Sequence, residues 1–400
     1  MLETPSRIEP ARLDSLPVDI ADLVSEIAAA SSILGIAFHP RTAASLAGIV
    51  RMMNTYYSNL IEGHNTRPRD IERALRDEFS DDLRQRNLQM EARAHHAVQA
   101  RVDEMALRDA LPDPASTEFI RWLHELFYLG TPDAFRVIAD GTRRITFAAG
   151  EWRSRPEHDV EVGRHLPPSS SRVADFMAYF SRRYEFAKMG QAARITAMAC
   201  AHHRLNYIHP FIDGNGRVSR LMSHAMGHAA GIGAHGLWSV SRGLARGLDQ
   251  GPDGRNEYRR MMDRADTPRQ GERDGRGNLS ERALEEFVTW FLSTCLDQIQ
   301  FMSALFDLDR LENRLHRYVD QHETLRVEAK PLLSEALVRG TFERGAASRL
   351  TGLSESTARR LMRELVQAGL LSSATPKGPI HLAFPADTFE FLFPKLFPPA

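Results

Sequence analysis

Apolar residues recur at steps of three and four along most of this 400-residue chain, and long alternating runs are nearly absent. Such a pattern hides its hydrophobic surface by packing helix on helix and leaves little from which to build a large sheet. A mainly α fold is therefore expected. Leu46, Ile49, Met53, Tyr57 and Leu60 show it most clearly, sharing one helix face that should stop at Gly63, a residue suited to a left-handed helix end. Ile20, Leu23, Ile27 and Ala30 mark an earlier helix after a proline-bearing entry. Further helices are expected over 90–107, 116–129, 171–185, 192–207, directly after 209–216, over 281–296 behind a Ser280 cap, and over 301–321. Residues 67–86 read as charged, solvated helix surface, and 243–256 and 267–279 as turns.

Two regions depart from this rhythm. Residues 131–170 carry Gly, Pro and two short β-prone runs, 144–147 and 160–162, which predict a small hairpin or flap held between helices. Beyond residue 330, helices over 331–339, 346–350 and 354–368, a turn at Gly352 and two short strands within 370–382 predict a winged helix-turn-helix domain. The apolar tail FEFLFPKLFPP should dock on the protein, because exposed it would invite aggregation. The chain is too long for one ordinary domain. The divisions expected are an N-terminal helical region (1–110), a core (111–300), a connecting helix (301–330) and the winged-helix domain (331–400).

A net charge of −1 gives the whole molecule no attraction to nucleic acid or to an acidic membrane, so any such binding needs a local patch. Cys200 and Cys295 lie in apolar helical stretches without metal-like or disulfide-rich spacing, which suits a reducing compartment. The first residues lack an apolar signal core, and no run approaches the about 18 apolar residues that span a bilayer. A cytoplasmic protein without membrane partners is expected.

The segment that carries chemistry is His-Pro-Phe-Ile-Asp-Gly-Asn-Gly-Arg-Val-Ser-Arg, residues 209–220. Gly214 and Gly216 let the backbone turn tightly and present amides to an anion. The helix that follows aims its positive end at the same place. Arg217 and Arg220, three apart in its first turns, suit a polyphosphate better than a single carboxylate. Asp213 is a hard oxygen ligand for magnesium shared with phosphate oxygens, and His209 can titrate near neutral pH as a general base. A lone DGNG is usually a turn and a lone His-Pro a helix stop. The joint occurrence of base, acid, paired glycines and two arginines points to phosphoryl chemistry.

This segment resembles the Fic-family motif HPFxDGNGRxxR at every defined position. The resemblance implies a mostly helical enzyme that transfers AMP from ATP to Ser, Thr or Tyr hydroxyls of target proteins, with magnesium as cofactor. It implies that His209 is the base, that Phe211 anchors the loop, and that Asp213 is the metal ligand. Gly214, Asn215 and Gly216 would cradle phosphates, with Arg217 on the α/β region and Arg220 on the γ-phosphate. Arg153 and the run Val160, Glu161, Val162, Gly163, Arg164 and His165 match the position of the family's target-docking flap, which takes a peptide by strand addition. Tyr258 follows a stretch similar to the family's nucleoside-side helix. It reads either as an adenine contact or as a packed aromatic. Asp266 stands near where some members carry an Asn.

Ser58-Asn-Leu-Ile-Glu62-Gly63 resembles the inhibitory motif [S/T]xxxE[G/N] and would close an inhibitory helix over about 42–63. Ser58 and Glu62 share a helix face, and Glu62 on Arg220 would deny the γ-phosphate its clamp. In the C-terminal domain Arg359, Arg360, Arg363 and Lys377 offer a basic face to DNA phosphates. Glu355 and Glu364 interrupt that face, so a protein-binding or dimer-supporting role stands beside DNA binding. Three alternatives stay open: a winged-helix regulator with a nucleotide-sensing Fic module, a Fic enzyme using another donor, and one removing AMP. Self-modification and homodimerisation are expected.

Overall fold

A computed structural model describes residues 3–140, 143–248 and 254–398. The N-terminal region holds α1 (Val18–Ile36), α2 (Pro40–Ile61), α3 (Pro68–Leu75) and α4 (Leu83–Leu107). The central region holds α5 (Thr117–Tyr128), β1 (Val137–Asp140), β2 (Arg143–Thr146), α6 (Val173–Arg183), α7 (Gln191–Ile208), α8 (Asn215–Ala229), α9 (Val240–Arg246) and α10 (Gly254–Ala265). Two long helices follow, α11 (Glu281–Phe306) and α12 (Leu308–Gln321). The C-terminal region has α13 (Ala329–Arg339), α14 (Ala347–Thr351), α15 (Glu355–Gln367), β3 (Leu371–Ser372), β4 (His381–Leu382) and α16 (Phe389–Leu392). The molecule is mainly helical, as the apolar spacing predicts. No single helix among the described residues is long and apolar enough to cross a membrane.

Local signals account for most helix ends. Ser116, Asp82 and Ser280 each accept a backbone N–H from the first turn they cap, and Gly63 takes a φ of 89° just beyond α2. α2 is sheathed on nearly all sides by α3, α4, α9 and α13, so Tyr57, Ser58 and Asn59 are fully buried. α7 and α8 pack along each other, joined by the 209–214 loop, and α11 backs α7 through Phe287 and Phe291.

Several expectations need correction. The chain over 67–86 is not one helix, because Asp77 adopts a positive φ between α3 and α4, and Ile71 and Ala74 of α3 are buried instead of solvated. α11 runs on to Phe306 without the expected break near 297–300. The break falls at Asp307, whose carboxylate accepts the Arg310 amide and caps α12. Within 243–256, α9 and α10 occupy the two ends, and 249–253 lie outside the described residues.

The hairpin also differs. β2 pairs antiparallel with β1, Val137 opposite Thr146, and not with 160–162. Closing two strands that are close in sequence costs less loop entropy than joining distant ones. Residues 160–165 instead form a tight turn in which Val162 and His165 exchange backbone hydrogen bonds of 3.0 and 2.9 Å.

In the C-terminal region α13, α14 and α15 are followed by the β3–β4 ribbon, with Phe342 bridged to Ile380 beside it. The region is tied to α2: Thr42 Oγ1 donates to the Leu337 carbonyl at 2.8 Å and Ser45 Oγ to the Leu382 carbonyl at 2.8 Å. The tail docks there as well. Leu396 is fully buried and accepts the Tyr57 hydroxyl at 3.0 Å, while Phe397 stacks parallel to the Tyr57 ring.

Candidate active site

The 209–220 segment turns from the end of α7 into the start of α8. His209 closes α7 in the left-handed conformation, φ 50°, and Pro210 prevents the helix from continuing. Arg153, fully buried, fixes this exit. Its side chain donates to the carbonyls of His209 at 2.7 Å and Ile208 at 3.0 Å and also to that of Pro168, and its amide donates to the Pro210 carbonyl at 2.9 Å. Arg153 therefore braces the loop from behind and is not part of an exposed flap.

Phe211 is fully buried and stacks on His124 of α5, ring centroids 3.9 Å apart. Asn215 closes the loop by a reciprocal pair. Its side chain accepts the Phe211 amide and donates to the Phe211 carbonyl, both at 2.9 Å. The Asn215 side chain is thus spent on the loop, and only its backbone amide is available to an anion. Gly214 takes φ 80° and caps α8 without any side-chain cap, so the first amides of α8, at Asn215, Gly216 and Arg217, face outward unpaired by the helix. A Cβ at Gly214 would lie 3.2 Å from the Tyr128 hydroxyl.

Asp213 projects outward, its side chain 43% exposed. Its Oδ2 accepts from the Tyr128 hydroxyl at 2.7 Å and from Arg217 at 3.0 Å, and neither bond uses Oδ1. One carboxylate oxygen with room for water and phosphate oxygens fits the way magnesium is held. Arg217 is buried and donates to Glu91 of α4, and its guanidinium lies 4.8 Å over the Phe127 ring. His64 takes the other Glu91 oxygen at 2.7 Å.

Arg220 is almost fully buried and is gripped from the C-terminal end of α2. Ser58 Oγ accepts at 2.9 Å, the Ser58 carbonyl at 3.1 Å and Glu62 Oε1 at 2.6 Å. Glu62 stands directly over Gly216, where any Cβ would collide with its carboxylate. Burial alone would raise the Glu62 pKa, yet Arg220 and Arg217 together hold it below the usual carboxylate range. His209 behaves oppositely. Burial, reinforced by the Arg153 charge, presses its pKa down to about 4, so the imidazole is neutral at pH 7.

Of the two readings of Tyr258, the structure agrees with the packed aromatic: it is buried on α10, its hydroxyl 2.8 Å from His202 Nε2 and its ring stacked with Trp290. Burial raises its pKa to about 12. Of the 160–165 run, Glu161, Val162, Gly163 and Arg164 are exposed and Val160 partly so. His165 is pinned to the Tyr207 carbonyl at 2.7 Å and faces Asp266 at 3.3 Å. Asp266 also pairs with His203 at 3.1 Å. Glu91, His124 and Tyr128 escaped the sequence reading. Glu91 had one visible signal, a carboxylate on the stripe His95, Val98, Val102 that is otherwise apolar or neutral.

Residues 114–226 match the Fic/DOC family. Over 82 residues the chain is 39% identical to the protein adenylyltransferases Fic of Drosophila erecta and Drosophila ananassae, an overlap of 20% of this chain and 16% of each fly protein. The chain therefore spans a small part of the length of these relatives. A Fic family protein from Desulfovibrio desulfuricans superposes with a TM-score of 0.54 at 17% identity, over 93% of this chain and 98% of that one. Fic-1 of C. elegans superposes with a TM-score of 0.50 at 14% identity, over 72% of this chain and 73% of that one. At these identities the structures speak for the fold alone.

Proposed function

The chain is a Fic family protein, and from that premise we propose that it transfers AMP from ATP to a Ser, Thr or Tyr hydroxyl of a target protein and of itself, held in check by Glu62. The observation that carries the reading is the meeting, within one turn of chain, of a neutral His209, an open Asp213 oxygen and the unpaired amides that start α8. In the proposed reaction His209 accepts the proton of the target hydroxyl as its oxygen bonds to the α-phosphorus. The bond to the β-phosphate oxygen breaks and pyrophosphate leaves. The amides of Asn215, Gly216 and Arg217 donate to phosphate oxygens, and Arg217 balances charge at the α/β region. Asp213 Oδ1 would hold magnesium, which supplies further neutralisation of the phosphates.

Arg220 would bind the γ-phosphate only after Glu62 withdraws. Autoinhibition is supported by the bonds of Arg220 to Ser58 and Glu62. Target docking at the 160–165 turn is supported by the exposure of Glu161, Val162, Gly163 and Arg164. Three finer parts of the proposal have their own supports. Cys200 and Cys295 are free buried thiols, which suits a reducing cytoplasm. Exposed Ile33 and Ile36 on α1 suit a homodimer. Arg344, Arg359 and Arg363 around a cavity between α14 and α15 suit DNA phosphates or an acidic protein.

The test is intact mass after incubation with ATP and magnesium. One added AMP on Glu62→Gly, and none on Glu62→Gly/His209→Ala, is the expected result. No adduct on Glu62→Gly despite ATP binding would overturn AMP transfer and favour another donor, AMP removal or a nucleotide-sensing regulator.

A further inference from the structure

Beyond the phosphate arginines, α8 carries a second polar group. His224 and His228, one turn apart, both reach Asp103 of α4. His224 Nε2 lies 2.6 Å from Asp103 Oδ1 and His228 Nε2 lies 3.1 Å from the same oxygen, with the two ring nitrogens 3.3 Å apart. Three donor atoms therefore converge on one point. A hydrogen-bonded cluster satisfies this triangle poorly. If both rings donate to Oδ1, no proton remains for the nitrogen–nitrogen contact. If one ring accepts from the other, it turns a lone pair toward the carboxylate.

A tetrahedral zinc ion fits it better: bonds of about 2.0–2.1 Å separate neighbouring ligand atoms by about 3.3 Å, which matches the 3.1 and 3.3 Å sides and asks only the 2.6 Å His224–Asp103 side to open. We propose that Asp103, His224 and His228 bind one divalent transition metal per chain, zinc by preference of ligand type. Arg51 Nη1 donates to Asp103 Oδ2 at 2.9 Å, which orients the carboxylate and leaves Oδ1 to the rings. The three side chains are 5%, 7% and 8% exposed, so the site is sheltered but not sealed. A cavity of about 530 Å³ lined by His228, His235 and Gly233 gives access for a fourth ligand, water or imidazole. The metal is structural. It staples the far half of α8 to α4, the helix whose Glu91 holds Arg217, and so fixes the helix that carries both phosphate arginines.

The experiment uses the full, untagged chain stripped with a chelator and titrated with zinc against a chromophoric competitor. Cobalt titration is read in the visible region. Wild type should take up one zinc with a rise in Tm, and His224→Ala and His228→Ala should each weaken binding by on the order of 100-fold. Asp213→Ala should retain it, which separates this site from the magnesium position. Cobalt in wild type should give the strong visible band of a four-coordinate site, so the test stands even if a variant fails to fold. No stoichiometric zinc in wild type, only the weak band of six-coordinate cobalt, or undiminished zinc in His224→Ala/His228→Ala would overturn the proposal.

Discussion

Glu91 of α4 and Arg217 of α8 form a buried ion pair whose second carboxylate oxygen is taken by His64, 2.7 Å away. Arg217 is thus aimed from outside its own motif. Glu91→Ala would leave Arg217 with the partly exposed Asp213 as its remaining carboxylate bond and should cost about 1.5–3 kcal/mol of stability. In the Glu62→Gly background it should also lower AMP incorporation. Urea unfolding and intact mass measure the two effects, and a loss below about 1 kcal/mol would remove Glu91 from its bracing role.

The pH profile of transfer should be displaced toward acid. A base must be deprotonated to act, and burial lowers the His209 pKa from 6.5 to about 4. The rate of Glu62→Gly should therefore stay level as pH falls from 8 through 6.5 and decline only near pH 4. Initial rates in constant ionic strength buffers decide this, and an inflection at the ordinary histidine value would contradict the burial of the ring.

Arg153→Lys keeps the charge but loses the fork that spans several carbonyls at the α7 exit. It should cost roughly 2 kcal/mol and lower kcat more than the KM for ATP, because the base is displaced while the phosphate amides remain. A fall in kcat/KM carried wholly by KM would argue against a brace at His209.

Leu396→Ala removes a fully buried side chain from the tail seated on α2 and should cost about 2–5 kcal/mol by urea unfolding. If Glu62 is a brake as proposed, the substitution should also raise self-modification with Glu62 intact, since the seat of α2 is loosened. Unchanged self-modification would separate the tail from the brake.

The parts legible in the sequence are those whose signals are contiguous. Residues 209–220 are read from one short segment, and Ser58 and Glu62 fall one helical turn apart. Their partners are a different matter. Glu91, His124 and Tyr128 reach the site from α4 and α5, and a single carboxylate in a charged helix resembles its neighbours until packing selects it. Tyr258 kept two readings because an aromatic beside a family-like stretch carries no sign of which side it faces; its hydroxyl turns inward to His202. The hairpin misled because 160–162 has strand-like residues but a nearer partner for β2 exists in β1.

α2 acts mechanically as a strut. Its Thr42 end is bonded to the Leu337 carbonyl and its Ser58 end to Arg220, with about 24 Å of unbroken helix between them at the usual rise per residue. Along such a rod a rotation at one end is not absorbed by a slack loop and arrives as a displacement at the other. A partner that tilts the α13–α15 region needs no contact with the 209–220 segment to reach Glu62.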